Sequence, residues 1–337
     1  MIKNIKNKRI LIVGGAGFIG HNLALRLKEL KAKITVVDGL EINNLVSLMD
    51  NRDGLPFPEL SKNIIDERME LLKKNNIKLF IQDARDYHAI SKIINATKPQ
   101  VIVHLAAVSH SDRSNKSPYT TFDHSFRTLE NVLDNAKNKI EHLVFLSSSM
   151  VYGNFKKSQV TEDSHCEPIG IYGALKFAAE KIIIAYNQVY KLDYTIIRPS
   201  ALYGERCVSR RVGQIFIENA INGKKITVNG KGEDKLDFTY IQDLVQGIVL
   251  TISNKKSRNQ IFNLTFGRAR PILEMIKVLK KDFKNIKLEF KKRDKLMPKR
   301  GTLSIAKAKK LLGYKPTWSL EKGYPEYIKW YKNFYRK

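Results

Sequence analysis

Tyr172 and Lys176 stand four residues apart in the stretch YGALK. In a helix this spacing puts both side chains on one face, so the phenol and the ammonium can reach the same site. A neighbouring ammonium favours the phenolate and lowers the tyrosine pKa toward the working pH, which would let Tyr172 act as a general base. The same spacing arises by chance in many helices, so its interpretation depends on the other motifs in the chain.

Three serines precede this pair in the stretch LSSSMVYG, residues 146–153, directly after the apolar run HLVFL. Hydroxyls at the end of a buried strand either cap the following turn or form one wall of an active site. The spacing within this stretch leaves both interpretations open.

A glycine-rich run, GGAGFIG at residues 14–20, lies between an apolar segment and an amphipathic one. Such a run allows a tight turn and a close approach of the backbone to a pyrophosphate, which then lies on a helix N-terminus. Asp38 ends the next apolar segment, where a carboxylate can accept from both hydroxyls of an adenosine ribose and repels a 2′-phosphate. The pattern therefore predicts a site for NAD(H) rather than NADP(H).

Short apolar segments alternate with helical patterns through the first two hundred residues, which is typical of a parallel sheet with crossover helices. A helix is predicted over residues 18–30, and strands over 9–15, 33–38, 77–83, 101–107, 142–148 and 194–200. The polar stretch 41–75 is longer than a usual crossover, and its helical patterns at 43–49 and 64–75 predict a flap or a packing element. Shorter mixed elements after residue 200 predict a smaller second domain.

The formal net charge of +27 is the most unusual bulk property. The basic residues are scattered and not interleaved with aromatic residues, which argues against nucleic acid and favours attraction of an anionic substrate. We expect no membrane span, because no run of about 18 uncharged apolar residues occurs. Cys166 and Cys207 have no partner motif, which predicts a reducing, cytoplasmic location and no zinc site.

Together these motifs resemble the extended short-chain dehydrogenase/reductase family, especially its nucleotide-sugar epimerases and dehydratases. The resemblance covers nearly the whole chain, and its other motifs are QDARD (82–86), HLAA (104–107), RPSALYG (198–204), DFTYIQDLVQG and LLGYKPTWSLEKG. It implies an α/β fold: a Rossmann-type doubly wound parallel sheet with a smaller mixed α/β C-terminal substrate domain. The NAD-binding domain is expected at 1–198 plus about 236–266, with the insert 41–75, and the nucleotide-sugar domain at about 199–235 plus 267–337.

The resemblance also implies the roles of individual residues. Tyr172 takes a proton from a sugar hydroxyl, Ser148 hydrogen-bonds the same oxygen, and Lys176 lowers the tyrosine pKa and holds the nicotinamide ribose. Contacts with NAD are expected from Gly14, Gly17, Phe18, Ile19, Gly20, Asp38, Asp83, Ala84, Leu105, Ala106, Ala107, Ser147, Tyr172, Lys176 and Pro199.

The fate of the keto-sugar intermediate separates the members of the family. Dehydratases carry Asp-Glu directly after the hydroxyl residue, because two carboxylates can divide the extra proton transfers. Ser149 and Met150 stand at those two positions here. This favours an NAD-dependent nucleotide-sugar epimerase, most simply a 4-epimerase. A dehydratase, a decarboxylase or a 4-oxidoreductase remains an alternative, as does an NAD-sensing or RNA-associated scaffold that catalyses nothing.

Contacts with the nucleotide-diphosphate sugar are expected from Ser109, His110, Ser149, Met150, Arg206, Arg211 and Arg300, with Arg210 as a further candidate. Guanidinium groups suit phosphate, although each arginine could equally be a surface residue. His110 belongs to SHSDRS, a segment similar to one beside the dehydratase substrate, and is either an acid/base group or part of a loop packed on the cofactor. His124 and Ala201 replace two asparagines usual in the family. The resemblance further implies a homodimer built from the helix after the fourth strand and the YxxxK helix.

Overall fold

Seven parallel strands form one sheet in the order β12-β7-β5-β4-β1-β2-β3 in the computed structural model, which describes residues 5–49, 56–109 and 111–335. The strands of this sheet are β1 (Arg9–Val13), β2 (Lys33–Asp38), β3 (Lys78–Ile81), β4 (Val101–His104), β5 (His142–Leu146), β7 (Tyr194–Arg198) and β12 (Gln260–Asn263). The strand order reverses between the neighbours β1 and β4. In open parallel sheets a ligand binds outside the carboxyl ends of the strands at such a point.

Helices cover both faces of the sheet, which explains why its strands are apolar on both sides. Alternate residues of β1 join different cores: Ile10 and Ile12 pack with one group of helices, and Leu11 and Val13 with the other. The first group is α1 (Phe18–Glu29), α3 (Pro58–Lys74) and α10 (Ile241–Ser253), and the second is α4 (Tyr87–Thr97), α7 (Thr128–Ala136) and α8 (Gly170–Tyr190). The fold is therefore the doubly wound α/β fold expected from the sequence.

The remaining elements are shorter. The other helices are α2 (Leu45–Met49), α5 (Ser111–Lys116), α6 (Pro118–Phe122), a π-helix (Asp123–Arg127), α9 (Val212–Ile221), α11 (Ile272–Leu279), α12 (Ala306–Leu312), α13 (Leu320–Phe334) and two 3-10 turns (Ser149–Tyr152 and Lys255–Ser257). Within the described residues, small two-stranded sheets pair β6 (Gln159–Val160) with β15 (Thr302–Leu303), β8 (Leu202–Tyr203) with β11 (Thr239–Tyr240), β9 (Ile226–Asn229) with β14 (Leu288–Lys291), and β10 (Lys235–Leu236) with β13 (Arg270–Pro271).

The predicted strands overshoot the observed ones at their carboxyl ends. The first strand ends at Val13 instead of residue 15, the fourth at His104 instead of 107, and the fifth at Leu146 instead of 148. The residues that follow each end are small or apolar and at least partly buried, so the sequence pattern does not mark the end of the strand. They leave the ladder, however, and their backbone turns along the sheet edge; Leu105 N and Ala106 N, for example, both donate to the Val13 carbonyl.

The insert between β2 and β3 is a packing element, and its second helix begins earlier than predicted. The pattern predicted a helix over 64–75, whereas α3 starts at Pro58, a residue well suited to a first helical position. Ile64, Ile65 and Leu72 are almost fully buried and pack in the core that contains α1. Residues 50–55 lie outside the described residues.

The region after β7 holds the mixed short elements that the sequence predicts, and β12 returns from it to the large sheet. A cluster of buried tyrosines, including Tyr203, Tyr240, Tyr324 and Tyr327, joins the loops after β7 to α13. The division into two domains stays a prediction. Among the described helices, none is both long enough and apolar enough to cross a membrane.

Candidate active site

Three of the four glycines of the run after β1, Gly14, Gly17 and Gly20, have different surroundings. Gly14 has a positive φ of 78°, and a Cβ there would lie 2.7 Å from the Ala106 nitrogen. A Cβ on Gly20 would lie 2.4 Å from the Gly15 Cα, whereas one on Gly17 would meet only the Gly14 oxygen, at 3.4 Å. Gly14 thus makes the turn, Gly17 leaves an open surface at the start of α1, and Gly20 allows close packing. This is the arrangement by which a dinucleotide loop admits a pyrophosphate.

A cleft opens at this point, outside the carboxyl ends of β1, β2 and β4. Of the residues predicted from the sequence, it is lined by Gly14, Gly17, Phe18, Ile19, Gly20, Asp38, Asp83, Ala84, Leu105, Ala106, Ala107, Ser109 and Arg211. Sequence reasoning missed the lining residues Val37, Gly39, Glu41, Ile42, Asn43, Arg68, His124, Thr128 and Ser209. Four of these, Gly39, Glu41, Ile42 and Asn43, follow the end of β2, which is a usable signal, but Arg68 lies in the middle of a helix and gave none.

Asp38 lies in the cleft with one carboxylate oxygen held by the backbone on each side. Ala16 N donates to Oδ2 at 2.9 Å and Leu40 N donates to Oδ1 at 2.8 Å. Burial raises the pKa of Asp38, while these two hydrogen bonds and the Arg68 guanidinium oppose the rise. The carboxylate is fixed at the place where the sequence predicts a contact with the adenosine ribose.

Arg85 forms ion pairs with three carboxylates beside the cleft. Its guanidinium nitrogens bind Glu41 at 2.9 Å, Asp83 at 2.9 Å and Asp123 at 2.8 Å. His124 Nε2 lies 3.3 Å from the Glu41 carboxylate, and burial together with the Arg85 charge lowers the pKa of His124. The loops after β2 and β3 are thereby fastened to the π-helix.

The predicted catalytic side chains meet beside this cleft. Tyr172 lies in the first turn of α8, and the Ser148 side chain is close enough to lower its pKa. Ser148 caps the 3-10 turn that follows β5, and its Oγ accepts from Met150 N at 3.2 Å. Lys176 Nζ donates to the Leu146 carbonyl at 2.7 Å and lies 4.7 Å from the centre of the Phe145 ring. The structure therefore brings Ser148, Tyr172 and Lys176 together.

The charge that acts on Tyr172 differs from the expectation. Burial raises the pKa of Tyr172, and the Arg211 guanidinium and the Ser148 hydrogen bond lower it. Burial also lowers the pKa of Lys176 to about 8, and the Glu180 carboxylate opposes that change. The cation that favours the phenolate is thus Arg211, whereas the predicted effect of Lys176 on Tyr172 stays a prediction.

A buried ion pair lies directly behind these groups. Glu180 accepts from Arg198 Nη2 at 2.6 Å and from Nε at 3.0 Å, and both side chains are almost wholly buried. Ser147 Oγ donates to the same carboxylate at 2.5 Å. The hydroxyl of Ser147 therefore has a protein partner, unlike the cofactor contact expected for it, and Pro199 accepts from Ser149 N through its carbonyl. The cofactor contacts of Ser147 and Pro199 stay predictions.

Ser149 and Met150 form the start of the 3-10 turn and are 2% and 6% exposed. Neither side chain can transfer a proton as a carboxylate does. The position where the family's dehydratases carry two acids is therefore occupied by a buried hydroxyl and a thioether.

The four candidate arginines fall into two groups, which differ in whether the guanidinium already has a protein partner. Arg211 and Arg300 each keep a buried Nε without a hydrogen-bond partner in the described chain, and burial lowers the pKa of Arg300 to about 10. Arg206 Nε donates to His21 at 3.0 Å and Arg210 pairs with Glu218 at 3.3 Å, so these two side chains already have partners. His110 lies outside the described residues.

The comparisons with known proteins agree with this geometry. The model of the NAD dependent epimerase/dehydratase family matches residues 10–265. Uncharacterized protein MJ1055 of Methanocaldococcus jannaschii is 30% identical over 97% of both chains, and UDP-glucuronate 4-epimerase 4 of Arabidopsis thaliana is 28% identical over 97% of this chain and 76% of its own.

Two solved structures superpose over almost the whole chain. UDP-glucose 4-epimerase of Thermotoga maritima, with UDP-glucose, has a TM-score of 0.84 at 26% identity and covers 96% of this chain and 98% of its own. UDP-glucuronic acid 4-epimerase of Bacillus cereus, in complex with UDP-glucuronic acid and NAD, has a TM-score of 0.85 at 25% identity and covers 97% and 99%.

Proposed function

The chain belongs to the NAD-dependent epimerase/dehydratase family, and we propose that it inverts carbon 4 of a UDP-sugar. It is an NAD-dependent nucleotide-sugar epimerase, and its cofactor NAD is regenerated in each turnover. The observation that carries the proposal is that Ser148, Tyr172 and Lys176 lie together beside the cleft that opens at the glycine run. Positions 149 and 150 carry a serine and a methionine and no acid.

The residues of the cleft fit NAD. The open surface at Gly17 and the N-terminus of α1 would hold the pyrophosphate, and the fixed Asp38 carboxylate would accept from the adenosine ribose. The charged cluster around Arg85 would border the adenine. Bound NAD supplies an acceptor that takes a hydride from carbon 4 and gives it back.

Tyr172 and Ser148 would perform the proton chemistry at the sugar. In this proposal the Tyr172 phenolate takes the proton of the 4-hydroxyl, while Ser148 donates a hydrogen bond to the same oxygen. The Arg211 cation supports the phenolate, since it lowers the pKa of Tyr172. When the other face of the keto sugar is reduced, Tyr172 returns the same proton. The cycle needs no further acid, which matches Ser149 and Met150.

Arg211 and Arg300 are the best candidates for the diphosphate of the substrate. Each has a buried guanidinium N–H without a partner, and such a group is costly unless an acceptor meets it. A diphosphate supplies acceptors of matching geometry. The choice of uridine as the base rests on the relatives from Arabidopsis thaliana, Thermotoga maritima and Bacillus cereus.

We also propose a cytoplasmic location, supported by the two cysteines, Cys166 and Cys207, which form no disulfide. A homodimer is supported by apolar side chains that lie exposed on α6 and α8. Tyr119 on α6 is 85% exposed and Val189 on α8 is 68% exposed.

A panel of nucleotide sugars tests the activity. We expect NMR to show the 4-epimer of one or more of UDP-glucose, UDP-glucuronate and UDP-N-acetylglucosamine, without net formation of NADH. A stable 4-keto-6-deoxy product would identify a dehydratase, release of CO₂ a decarboxylase, and accumulating NADH an oxidoreductase. Epimerisation only of GDP-, CDP- or dTDP-sugars would overturn the assignment of uridine.

A further inference from the structure

The insert between β2 and β3 brings one arginine to the cleft. Arg68 lies in α3, is 1% exposed and lines the cleft. Its Nε donates to the Arg206 carbonyl at 2.8 Å, and its Nη2 donates to the same oxygen. Its Nη1 is buried and has no hydrogen-bond partner in the described chain. One side of the guanidinium group is therefore bound to protein and the other is left for a ligand.

Arg68 lies close to Asp38 and to the first turn of α1. The Asp38 carboxylate counteracts part of the burial effect that lowers the pKa of Arg68 to about 10, so the guanidinium stays charged at neutral pH. His21 on α1 is neutral, because burial and then the charges of Arg68 and Arg206 lower its pKa. Its Nδ1 contacts the Gly17 carbonyl at 2.9 Å, and its Nε2 accepts from Arg206.

Two positive features thus line the same cleft: a buried guanidinium with one unpaired N–H and the N-terminus of a twelve-residue helix. Leaving a buried charged donor unpaired is unfavourable, and an anion at this place would satisfy both features. A Cβ on Gly17 would meet only the Gly14 oxygen, so the surface beside the helix N-terminus is open to such an anion.

We propose that Arg68 binds the pyrophosphate of NAD, so that the insert 41–75 is part of the cofactor site. The proposal rests on NAD as the cofactor and does not depend on which sugar is epimerised. The same guanidinium holds the carbonyl of Arg206 in the loop that leads to Ser209 and Arg211 in the cleft. Arg68 consequently connects the cofactor to the loop that carries the proposed diphosphate residue.

The experiment measures binding by titration calorimetry on the whole chain after removal of retained NAD. Adenosine, ADP, NAD and UDP are titrated into the unchanged protein and into Arg68→Gln. We expect Arg68→Gln to weaken ADP and NAD by roughly ten- to a hundredfold, the effect of one charge-assisted hydrogen bond, and to leave adenosine unchanged. Arg26→Gln, on the exposed side of α1, is the matched control and should change none of the four affinities.

Three results would overturn the proposal. An equal loss for adenosine and ADP would mean that Arg68 only maintains the fold, and an unchanged ADP affinity would exclude a phosphate contact. A loss for UDP with ADP unchanged would assign the guanidinium to the substrate diphosphate instead. If Arg68→Gln does not fold, Arg68→Lys replaces it. The ammonium retains the charge, so we expect a loss for ADP smaller than tenfold and none for adenosine, and an equal loss for both would again contradict the proposal.

Discussion

At the scale of single residues, the state of Tyr172 depends on Arg211 and Ser148. Burial alone would keep the phenol protonated, because it raises the tyrosine pKa, and the two neighbours oppose that effect. Removal of the Arg211 cation should therefore raise the pKa of Tyr172 further. In Arg211→Gln the rising limb of the pH–rate profile should move to higher pH.

The measurement is kcat/KM against pH, which reports the pKa values of the free enzyme, for the unchanged protein and for Arg211→Gln. Arg210→Gln is the matched control, since its guanidinium pairs with Glu218 and is not among the groups that lower the pKa of Tyr172. An identical rising limb in Arg211→Gln and the unchanged enzyme would exclude this role of Arg211.

Most of the cleft residues could be predicted because they follow strand ends in the sequence. Gly14, Asp38, Asp83 and Ala106 each come directly after β1, β2, β3 or β4 or within two residues of the strand end. Arg68 could not be predicted in this way, since it reaches the cleft only through the packing of α3 against α1. The partners of Arg206 likewise come from α1 and α3, which the sequence does not place beside its loop.

At the scale of elements, the loop between β1 and α1 contains one glycine that is needed for binding, Gly17, and another that is needed for folding, Gly20. A Cβ on Gly17 would project beside the cleft without a close contact, whereas one on Gly20 would collide with the backbone of Gly15. Gly17→Ala should keep its thermal midpoint and lose affinity for NAD. Gly20→Ala should lose about 1–3 kcal/mol of unfolding free energy from the forced shift.

Calorimetry with NAD and thermal unfolding of both variants distinguish these effects. Equal destabilisation by both substitutions would contradict the different surroundings of the two glycines. Unchanged NAD affinity in Gly17→Ala would show that the pyrophosphate lies elsewhere.

The contact between α8 and β7 depends on the buried pair of Glu180 and Arg198. Glu180→Gln would leave the Arg198 guanidinium buried without a counter-charge, and breaking such a pair costs about 3–5 kcal/mol. Urea unfolding should show this loss. Glu29→Gln removes one partner of the exposed pair with Arg26 and should cost less than about 1 kcal/mol. Comparable losses in the two variants would mean that the buried pair does not stabilise the fold.

The ends of elements were harder to predict than their existence. Every predicted strand of the parallel sheet is present, but the apolar pattern cannot distinguish a ladder residue from a buried residue of the following loop. The start of α3 at Pro58 was missed because residues 58–63 are mostly polar and face outward at the beginning of the helix.

At the scale of the whole molecule, the family, the doubly wound fold, the cofactor and the epimerase function predicted from the sequence are confirmed by the matching family model and by the relatives. These properties could be predicted because each is indicated by motifs whose residues lie close together in the sequence. The two-domain division remains a prediction, and so do the roles of the site residues, which depend on bound ligands.

The homodimer is also a prediction at this scale. The exposed apolar residues Tyr119, Ile182 and Val189 lie on α6 and α8. The resemblance assigns the interface to the helix after the fourth strand, a region that contains α6, and to the YxxxK helix, which is α8. Light scattering after size exclusion should give twice the chain mass of 38.7 kDa. Val189→Glu should shift the mass toward one chain, and Tyr87→Glu, with an exposed aromatic ring on α4, should not. A monomer in the unchanged protein would contradict the prediction.

The most direct test of the central claim is epimerisation of the UDP-sugar panel in D₂O, followed by NMR. The account predicts inversion at carbon 4 with the original protium retained there and no deuterium at any other carbon, since the hydrogen leaves carbon 4 and returns to it as hydride. Tyr172→Phe should slow the reaction roughly 10²–10⁴-fold, the contribution of a general base, at unchanged NAD affinity. Deuterium at carbon 3 or carbon 5, loss of the carbon 6 hydroxyl, or full activity in Tyr172→Phe would contradict it.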